Sequence, residues 1–284
     1  MIGMNSLGSN GRLGNQMFQY SALVGIAKNR KLDFCIPDHS QATWFDRSQG
    51  DGIVTVYHQL QHCFEMTHLG DRFGEVDGDI VELDQHHFCQ ELFDECPDNV
   101  TLHGHFESYK YFENVEEEIR SDFTFKSNIL EESQKFHNKN NIQDAICINV
   151  RRGDFIKFQN YHAPCTESYY YECINLLGKD RQYLIASDDI SWCKKIFDGT
   201  NFVFVEETPE NISKAYFDMC VSSLCSDFII SNSTFSWWIS WLSINKNKKV
   251  YAPTPWFGKA LSHLDTSDMH PNYITEIERK IVEI

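Results

Sequence analysis

Long apolar runs are missing from this 284-residue chain: none approaches the roughly 18 residues that a membrane span needs. The first residues also lack the basic, extended apolar pattern of a secretory leader. The expectation is a cytoplasmic protein without a transmembrane segment, peripheral attachment to the inner membrane being left open. Positive charge is scarce as well. Lys and Arg number 25 against 41 Asp and Glu, for a net charge of −16, which argues against nucleic acid or an anionic membrane surface as a partner, since both need clustered cations. No CxxC pair occurs among the ten cysteines, and several sit inside apolar segments, so neither a zinc knuckle nor a disulfide-stapled scaffold is indicated. His86 and His87, near Cys89 and Cys96, fit no standard metal-ligand spacing. Internal repeats and low-complexity tracts are absent too. An aromatic content of 14% argues against disorder, and the length allows two domains with substantial cores.

The most informative segment that is present reads AICINVRRGDF, residues 145–155. Its first half is an apolar, β-branched strand pattern, and it stops abruptly at two arginines, a glycine and an aspartate. Ligands of open α/β sheets bind at the carboxyl ends of strands, and two guanidinium groups there call for an anion such as phosphate. The plain alternative is a surface Arg-Asp pair ending an ordinary strand. A second apolar strand runs into polar residues in IISNSTFSWWISWL, 229–242, where Ser233 or Thr234 would stand at a helix N-cap and favour an anion. Trp237, Trp238 and Trp241 follow at helical spacing and read as core. Near the amino terminus, GRLGNQMFQY at 11–20 sets glycines and Arg12 before a helix.

GRLGNQMFQY, VRRGDF, SDDISW (187–192) and NSTFSWW, in this order and followed by PTPWF (253–257), closely resemble the bacterial α-1,2-fucosyltransferases, glycosyltransferase family 11. GHFESYKYF (104–112) is similar to a weaker form of another family segment. The resemblance implies two Rossmann-like α/β domains facing across a cleft, the GT-B arrangement. It implies a GDP-fucose donor bound by the carboxyl-terminal domain and a galactose-terminated acceptor held mainly by the amino-terminal one. It also implies metal-independent chemistry with no cofactor, in which Arg151 is the phosphate-binding arginine and Arg152 a less certain partner. Ser233 and Thr234, with Phe235 beside them, would hold further phosphate oxygens, while Arg12, Asn15 and Gln16 would contact sugar, diphosphate or acceptor. Asp188 matches an acidic position beside the guanine ring, the alternative being a helix N-cap. Asp154 is either the general base or the group that fixes Arg151, with Glu107 as rival base. Asp77-Gly78-Asp79 has the DxD form of metal-dependent transferases but lies in a poorly patterned stretch, where a turn is the simpler reading. Two departures from the family are visible. Asn149 stands where His is usual, and Glu107 and Tyr109 stand where Gln and Glu are common, so acceptor choice is open and Asn149 joins the substrate-contact candidates.

Hydropathy patterning gives helices near 15–29 and 115–120 and strands near 31–36 and 99–105. A polar, Asn-rich linker at 135–143 suggests domains at 1–143 and 144–284. Beyond it come strands at 145–150, 182–187, 201–205, 227–231 and 249–252, alternating with helices near 167–178, 189–197, 209–225 and 234–245, a doubly wound series. A terminal helix is expected over 272–284, crossing back to the first domain. The expected activity is inverting transfer of L-fucose to the 2-hydroxyl of a terminal galactose, in surface polysaccharide (O-antigen) assembly. The alternatives are another linkage such as α-1,6, a dinucleotide-dependent oxidoreductase suggested by Gly8, Gly11 and Gly14, and a non-catalytic glycan-binding module.

Overall fold

Parallel strands need a crossover to reach one another, so an alternating pattern of strands and helices folds into layered α/β units. The computed structural model describes residues 1–41 and 57–281. It divides into two such units, Met1–Lys126 with Asp265–Pro271 and Ser127–Leu264 with Asn272–Ile284. The first contains β1 (Ile2–Gly3), α1 (Leu13–Arg30), β2 (Phe34–Cys35), α2 (Leu60–Cys63), β3 (Asp79–Leu83), α3 (Gln90–Glu95), β4 (Val100–Gly104) and α4 (Glu116–Asp122). Its strands form a parallel sheet in the order β2-β1-β4-β3. The second contains α5 (Ser127–Asn140), β5 (Ile146–Val150), α6 (Gly153–Lys157), α7 (Glu167–Leu177), β6 (Tyr183–Ser187), α8 (Ile190–Ile196) and β7 (Phe202–Phe204), then α9 (Lys214–Ser223), β8 (Asp227–Ile229), α10 (Thr234–Leu242), β9 (Val250–Thr254) and β10 (Ile274–Glu278). Its parallel sheet runs β10-β9-β8-β5-β6-β7.

The core of the second unit gathers Ile146, Ile148 and Val150 of β5 with Tyr169, Tyr170 and Ile174 of α7, and with Ile185, Phe197 and Ile229. Every residue of β5 is buried, as befits a central strand covered on both faces. Trp237, Trp238 and Trp241 are buried on α10, as core. All ten cysteines are free, and nine are buried. Burial pushes thiols such as Cys173 and Cys220 up to about 12, so they are inert apolar filler.

Three expectations are corrected here. The domain boundary falls between Lys126 and Ser127 and not at 143/144, because the supposed linker is the end of α5. That helix buries Ile129, Ser133 and His137, one turn apart, and His137 Nε2 bonds the Val221 carbonyl on α9 at 2.7 Å. Its inward stripe carries little hydrophobicity, which is why its polar composition read as linker. The terminal helix is instead β10, aligned residue for residue with β9 from Ile274↔Val250 to Glu278↔Thr254; residues 282–284 of that expectation lie outside the described residues. Finally, the chain reaches the first unit through 265–271 and not through a last helix: Asp268 accepts from the Phe88 amide, and its carbonyl accepts from Ser108 Oγ. The two-residue β1 and the half-exposed β3 were too short or too polar to read. Asp77 and Asp79 flank the start of β3, with Gly78 against the Asn99 carbonyl, so this DxD is a turn into an edge strand, at the sheet end opposite the strand tips.

Helix α1 is buried over most of its length because a helix glycine lets another segment approach it closely. A Cβ built on Gly25 would sit 1.7 Å from the Tyr111 carbonyl oxygen. Replacing a helical glycine by alanine usually stabilises by about 1 kcal/mol. Here the overlap is with backbone, so Gly25→Ala is expected to destabilise by about 2 kcal/mol or more. A lower urea midpoint than wild type is the predicted result, and an unchanged or raised one would refute the packing account.

Candidate active site

In the second sheet the chain steps outward from β5 in both directions, to β6 and β7 on one side and to β8, β9 and β10 on the other. The topological switch point therefore lies between β5 and β8, where ligands of such sheets bind at the carboxyl ends. Asn149 and Val150 at the tip of β5 are level with Ala186 and Ser187 at the tip of β6, so the arginine turn and the SDD segment leave the sheet side by side.

Arg151 follows the last residue of β5. One terminal guanidinium nitrogen lies 2.9 Å from Asp188 Oδ2, the other donates to Asp154 Oδ1, and the group sits 5.5 Å from the Phe155 ring centroid. Asp188 does more than pair with it. Its Oδ1 accepts from the Arg152 amide at 2.9 Å and its Oδ2 from the Gly153 amide at 3.1 Å. A Cβ on Gly153 would meet Asp188 Oδ2 at 2.7 Å, so glycine is needed here for close approach. Asp188 thus clamps the turn that presents Arg151 and is not a helix cap. The cap of α8 is Asp189, whose Oδ1 accepts from the Trp192 amide at 3.0 Å. Arg152 turns away from Arg151: it is buried, its Nε lies 3.3 Å from Asp189 Oδ2, and its guanidinium stacks 3.9 Å above the Trp192 ring. That is a structural ion pair, in keeping with the lesser certainty of Arg152 as a phosphate partner.

Asn149 is also buried. It accepts from Ser236 Oγ and donates to the Ala186 carbonyl at 3.4 Å, tying β5 to α10 and β6. Ser233 is the N-cap residue of α10, and no hydrogen bond from its side chain caps the helix. With Thr234 and Phe235 it is half-buried at the helix start, the natural place for an anion.

A buried acid escaped the sequence reading. Asp218, on α9, is 7% exposed, and Lys214 Nζ holds its Oδ2 at 2.6 Å. Its Oδ1 has no hydrogen-bond partner among the described residues. Burial pushes the carboxyl up to about 6, against the pull of Lys214 and with help from the nearby Asp188 charge. The available signal was a carboxylate in the middle of the apolar stretch YFDMCV, on a helix buried from Tyr216 onward.

In the first unit, Arg12 is exposed at the N-cap of α1, and Asn15 Nδ2 lies 3.4 Å from His105 Nδ1. Gln16 is fully buried and spent on backbone, donating to the Gly11 carbonyl at 3.1 Å and accepting from the Gln59 amide at 2.7 Å. It braces the glycine loop and is not placed to meet a ligand. Gln19, also missed, donates to the carbonyls of Asn10 and Gly104 at 2.9 Å each, and so joins that loop to the tip of β4. Glu107 is buried and accepts from His86 Nδ1 at 2.9 Å, and His86 stacks on His105 with ring centroids 5.2 Å apart. Burial opposes charge on His86, yet the bond and charge of Glu107 raise its pKa overall, whereas burial lowers that of His105.

The sequence model described as Glycosyl transferase family 11 matches residues 80–274. An "Alpha-1,2-colitosyltransferase" of Escherichia coli is 27% identical over 95% of this chain and 97% of its own. A "Galactoside alpha-(1,2)-fucosyltransferase 1" of Alouatta caraya is 24% identical over 82% of this chain and 63% of its own. Among solved structures, NodZ α-1,6-fucosyltransferase co-crystallised with GDP superposes with a TM-score of 0.53 at 12% identity, over 84% of this chain and 91% of its own. The fold is of the GT-B type, with two parallel α/β sheets.

Asp218 makes the site measurable without a ligand. Its folded pKa of about 6 exceeds the value near 3.9 of an unfolded Asp. Between those values the folded chain holds a proton that the unfolded chain has lost, so this group's contribution to stability falls as pH rises from about 4 to 6. Asp218→Asn is expected to shift the urea midpoint increasingly in the variant's favour from pH 4.5 to 7. A difference independent of pH would show that Asp218 is not held protonated by burial.

Proposed function

The chain belongs to glycosyltransferase family 11, and from that premise we propose that it transfers L-fucose from GDP-fucose to the 2-hydroxyl of a terminal galactose, with inversion, during assembly of a bacterial surface polysaccharide such as an O-antigen. Family membership removes the oxidoreductase and the simple glycan-binding module from consideration. The observation that carries the reading is Arg151, held at the carboxyl end of β5 with its planar fork oriented by two carboxylates. The named specificities of the relatives support the α-1,2 linkage. We assign the donor to the second unit and an acceptor-side role to the first. No helix among the described residues is long and apolar enough to cross a membrane, and a cytoplasmic location, where nucleotide sugars are made, fits the reading.

Leaving of GDP puts negative charge on the β-phosphate oxygen as the anomeric carbon becomes oxocarbenium-like. A guanidinium can hold two phosphate oxygens at once, which a lysine cannot. The Arg151 fork is paired with Asp154 and Asp188. Asp188 also holds two backbone amides, so it stays, while Asp154, more exposed, is the partner a diphosphate displaces. Released from Arg151, the Asp154 carboxylate accepts the proton of the acceptor hydroxyl; Glu107 is the rival base. The Ser233 hydroxyl and the first-turn amides at Thr234 and Phe235 take other phosphate oxygens. For contact with the guanine ring we move the assignment from Asp188 to Asp218, because its buried Oδ1 lacks a donor among the described residues and guanine offers two adjacent N–H groups. A second reading keeps this machinery and changes the sugar to colitose, the 3-deoxy counterpart of L-fucose, as the first relative named above suggests.

Incubation with GDP-fucose or GDP-colitose and a panel of galactosides, followed by linkage analysis, decides between the sugars and between α-1,2 and α-1,6 products. A 2-deoxygalactoside is expected not to be fucosylated. Arg151→Lys should lose most turnover, and Arg151→Ala about a thousandfold or more, by analogy with arginines in phosphoryl transfer. Near wild-type turnover in a folded Arg151→Ala protein would remove the residue from the mechanism. Turnover is also expected to survive exhaustive chelation; abolition by EDTA with rescue by Mg or Mn would instead call for a metal-held diphosphate.

A further inference from the structure

The connection that follows Arg151 and Asp154 exposes two aromatic rings. Phe158 is 55% and Tyr161 50% exposed, among the few large apolar side chains left open to solvent. Phe158 lies four residues beyond Asp154, and its amide donates to the Asp154 carbonyl at 3.1 Å, so the two share one face of a helical turn. One turn rises about 5.4 Å, close to the width of a pyranose ring.

The segment is a braced element and not a loose tip. The amides of Tyr161 and His162 both return to the Phe158 carbonyl, at 2.8 and 2.9 Å. The carbonyls of Tyr161 and Asn160 accept from the amides of Gly258 and Ala260 at 2.8 Å each. A Cβ on Gly258 would come within 2.5 Å of the Asn160 carbonyl oxygen, so the chain at 258 packs flush against this turn. Phe155, beside Arg151, stacks on His162 at 4.9 Å and an interplanar angle of 20°. Exposed apolar surface marks a binding site when it is contiguous, not when single residues are scattered. Here backbone bonds from another segment fix the turn that carries both rings.

We propose that Phe158 and Tyr161 form a stacking platform for a pyranose ring of the acceptor glycan, so that the donor-binding unit also recognises part of the acceptor. This rests on the donor reading of Arg151. The ligand class follows from the surface. A galactopyranoside has one face made of C–H groups, which packs on an aromatic ring, and a rim of hydroxyls. Asn160, exposed and between the two in sequence, supplies an amide for that rim. A neutral polyhydroxyl ligand also suits a chain of net charge −16 better than an anionic one. The line Arg151, Asp154, Phe158 then runs from leaving group to reacting hydroxyl to acceptor ring.

The test uses the full chain with GDP-fucose as donor and methyl β-lactoside as acceptor. Phe158→Ala and Tyr161→Ala are each expected to raise the acceptor KM several-fold to about tenfold, with more in the double variant. The calorimetric affinity for GDP-fucose should not move, and Phe158→Trp should restore acceptor KM. In saturation-transfer NMR of GDP-loaded protein, the C–H face of the galactoside should receive the signal in wild type and lose it in the double variant. An unchanged acceptor KM in the double variant would overturn the platform and leave the donor reading standing. A parallel loss of GDP-fucose affinity would overturn it too, by giving these rings to the donor. Failure of wild type to bind GDP-fucose would instead overturn the donor reading, and the platform with it.

Discussion

Asp188 is the contact on which the second unit's strand-end geometry depends. Its carboxylate holds the amides of Arg152 and Gly153 and one nitrogen of Arg151, joining the tips of β5 and β6 through a single group. Charge-assisted bonds of this kind are short and directional. A glycine at 153 lets the carboxylate approach, and Asp189, next in sequence, starts α8 and draws Arg152 aside onto Trp192. The two arginines of VRRGD therefore diverge. One becomes a buried clamp, and the other is presented at the strand end with its fork already aligned. Preorganisation of this sort matters because a donor held for transfer gains most from charges that need no rearrangement when the leaving group departs.

The same region carries a cost. Arg151 is flanked by two carboxylates, and Asp218 is buried with an oxygen that has no partner among the described residues and a pKa pushed up to about 6. A purely structural solution would fill such a position with an apolar side chain. Retaining the acid makes sense if its missing partners arrive with a ligand. A neutral ring bearing adjacent N–H groups supplies hydrogen bonds that Lys214 cannot, since that lysine already occupies the other oxygen.

Much of this could be read in the sequence, and the parts that could not share a physical cause. The β-branched run ending in VRRGD named its strand and its exit loop, because a buried central strand has no polar face to confuse the pattern. The order of strands and helices in the second unit followed for the same reason. Alpha5 was hidden because its inward stripe includes Ser133 and His137, satisfied by backbone carbonyls where apolar residues would have announced a helix. Beta10 was hidden because it lies at the sheet edge, and alternation there is weak. At the strand end, residue type singled out Arg151 as a candidate, but partner choice could not be seen. Which of two adjacent aspartates caps a helix and which clamps a loop depends on the depth at which β6 ends. Gln16 looked like a ligand contact for a similar reason: only tertiary placement shows that both ends of its amide are used by backbone.

Asn149 shows why a departure from family pattern need not disturb the site. Its carbonyl oxygen accepts from Ser236, whose own oxygen lies 2.8 Å from Ser231 Oγ, and its amide reaches the Ala186 carbonyl. The position needs one acceptor toward α10 and one donor toward β6. An asparagine offers both at every pH, whereas an imidazole offers both only while neutral and becomes a double donor when protonated. With the amide in place, the tie between β5 and α10 keeps its polarity across the range in which a histidine would titrate. Proton-dependent behaviour is thereby left to Asp218 on α9 and to the His86–Glu107 pair at the end of the first unit's sheet.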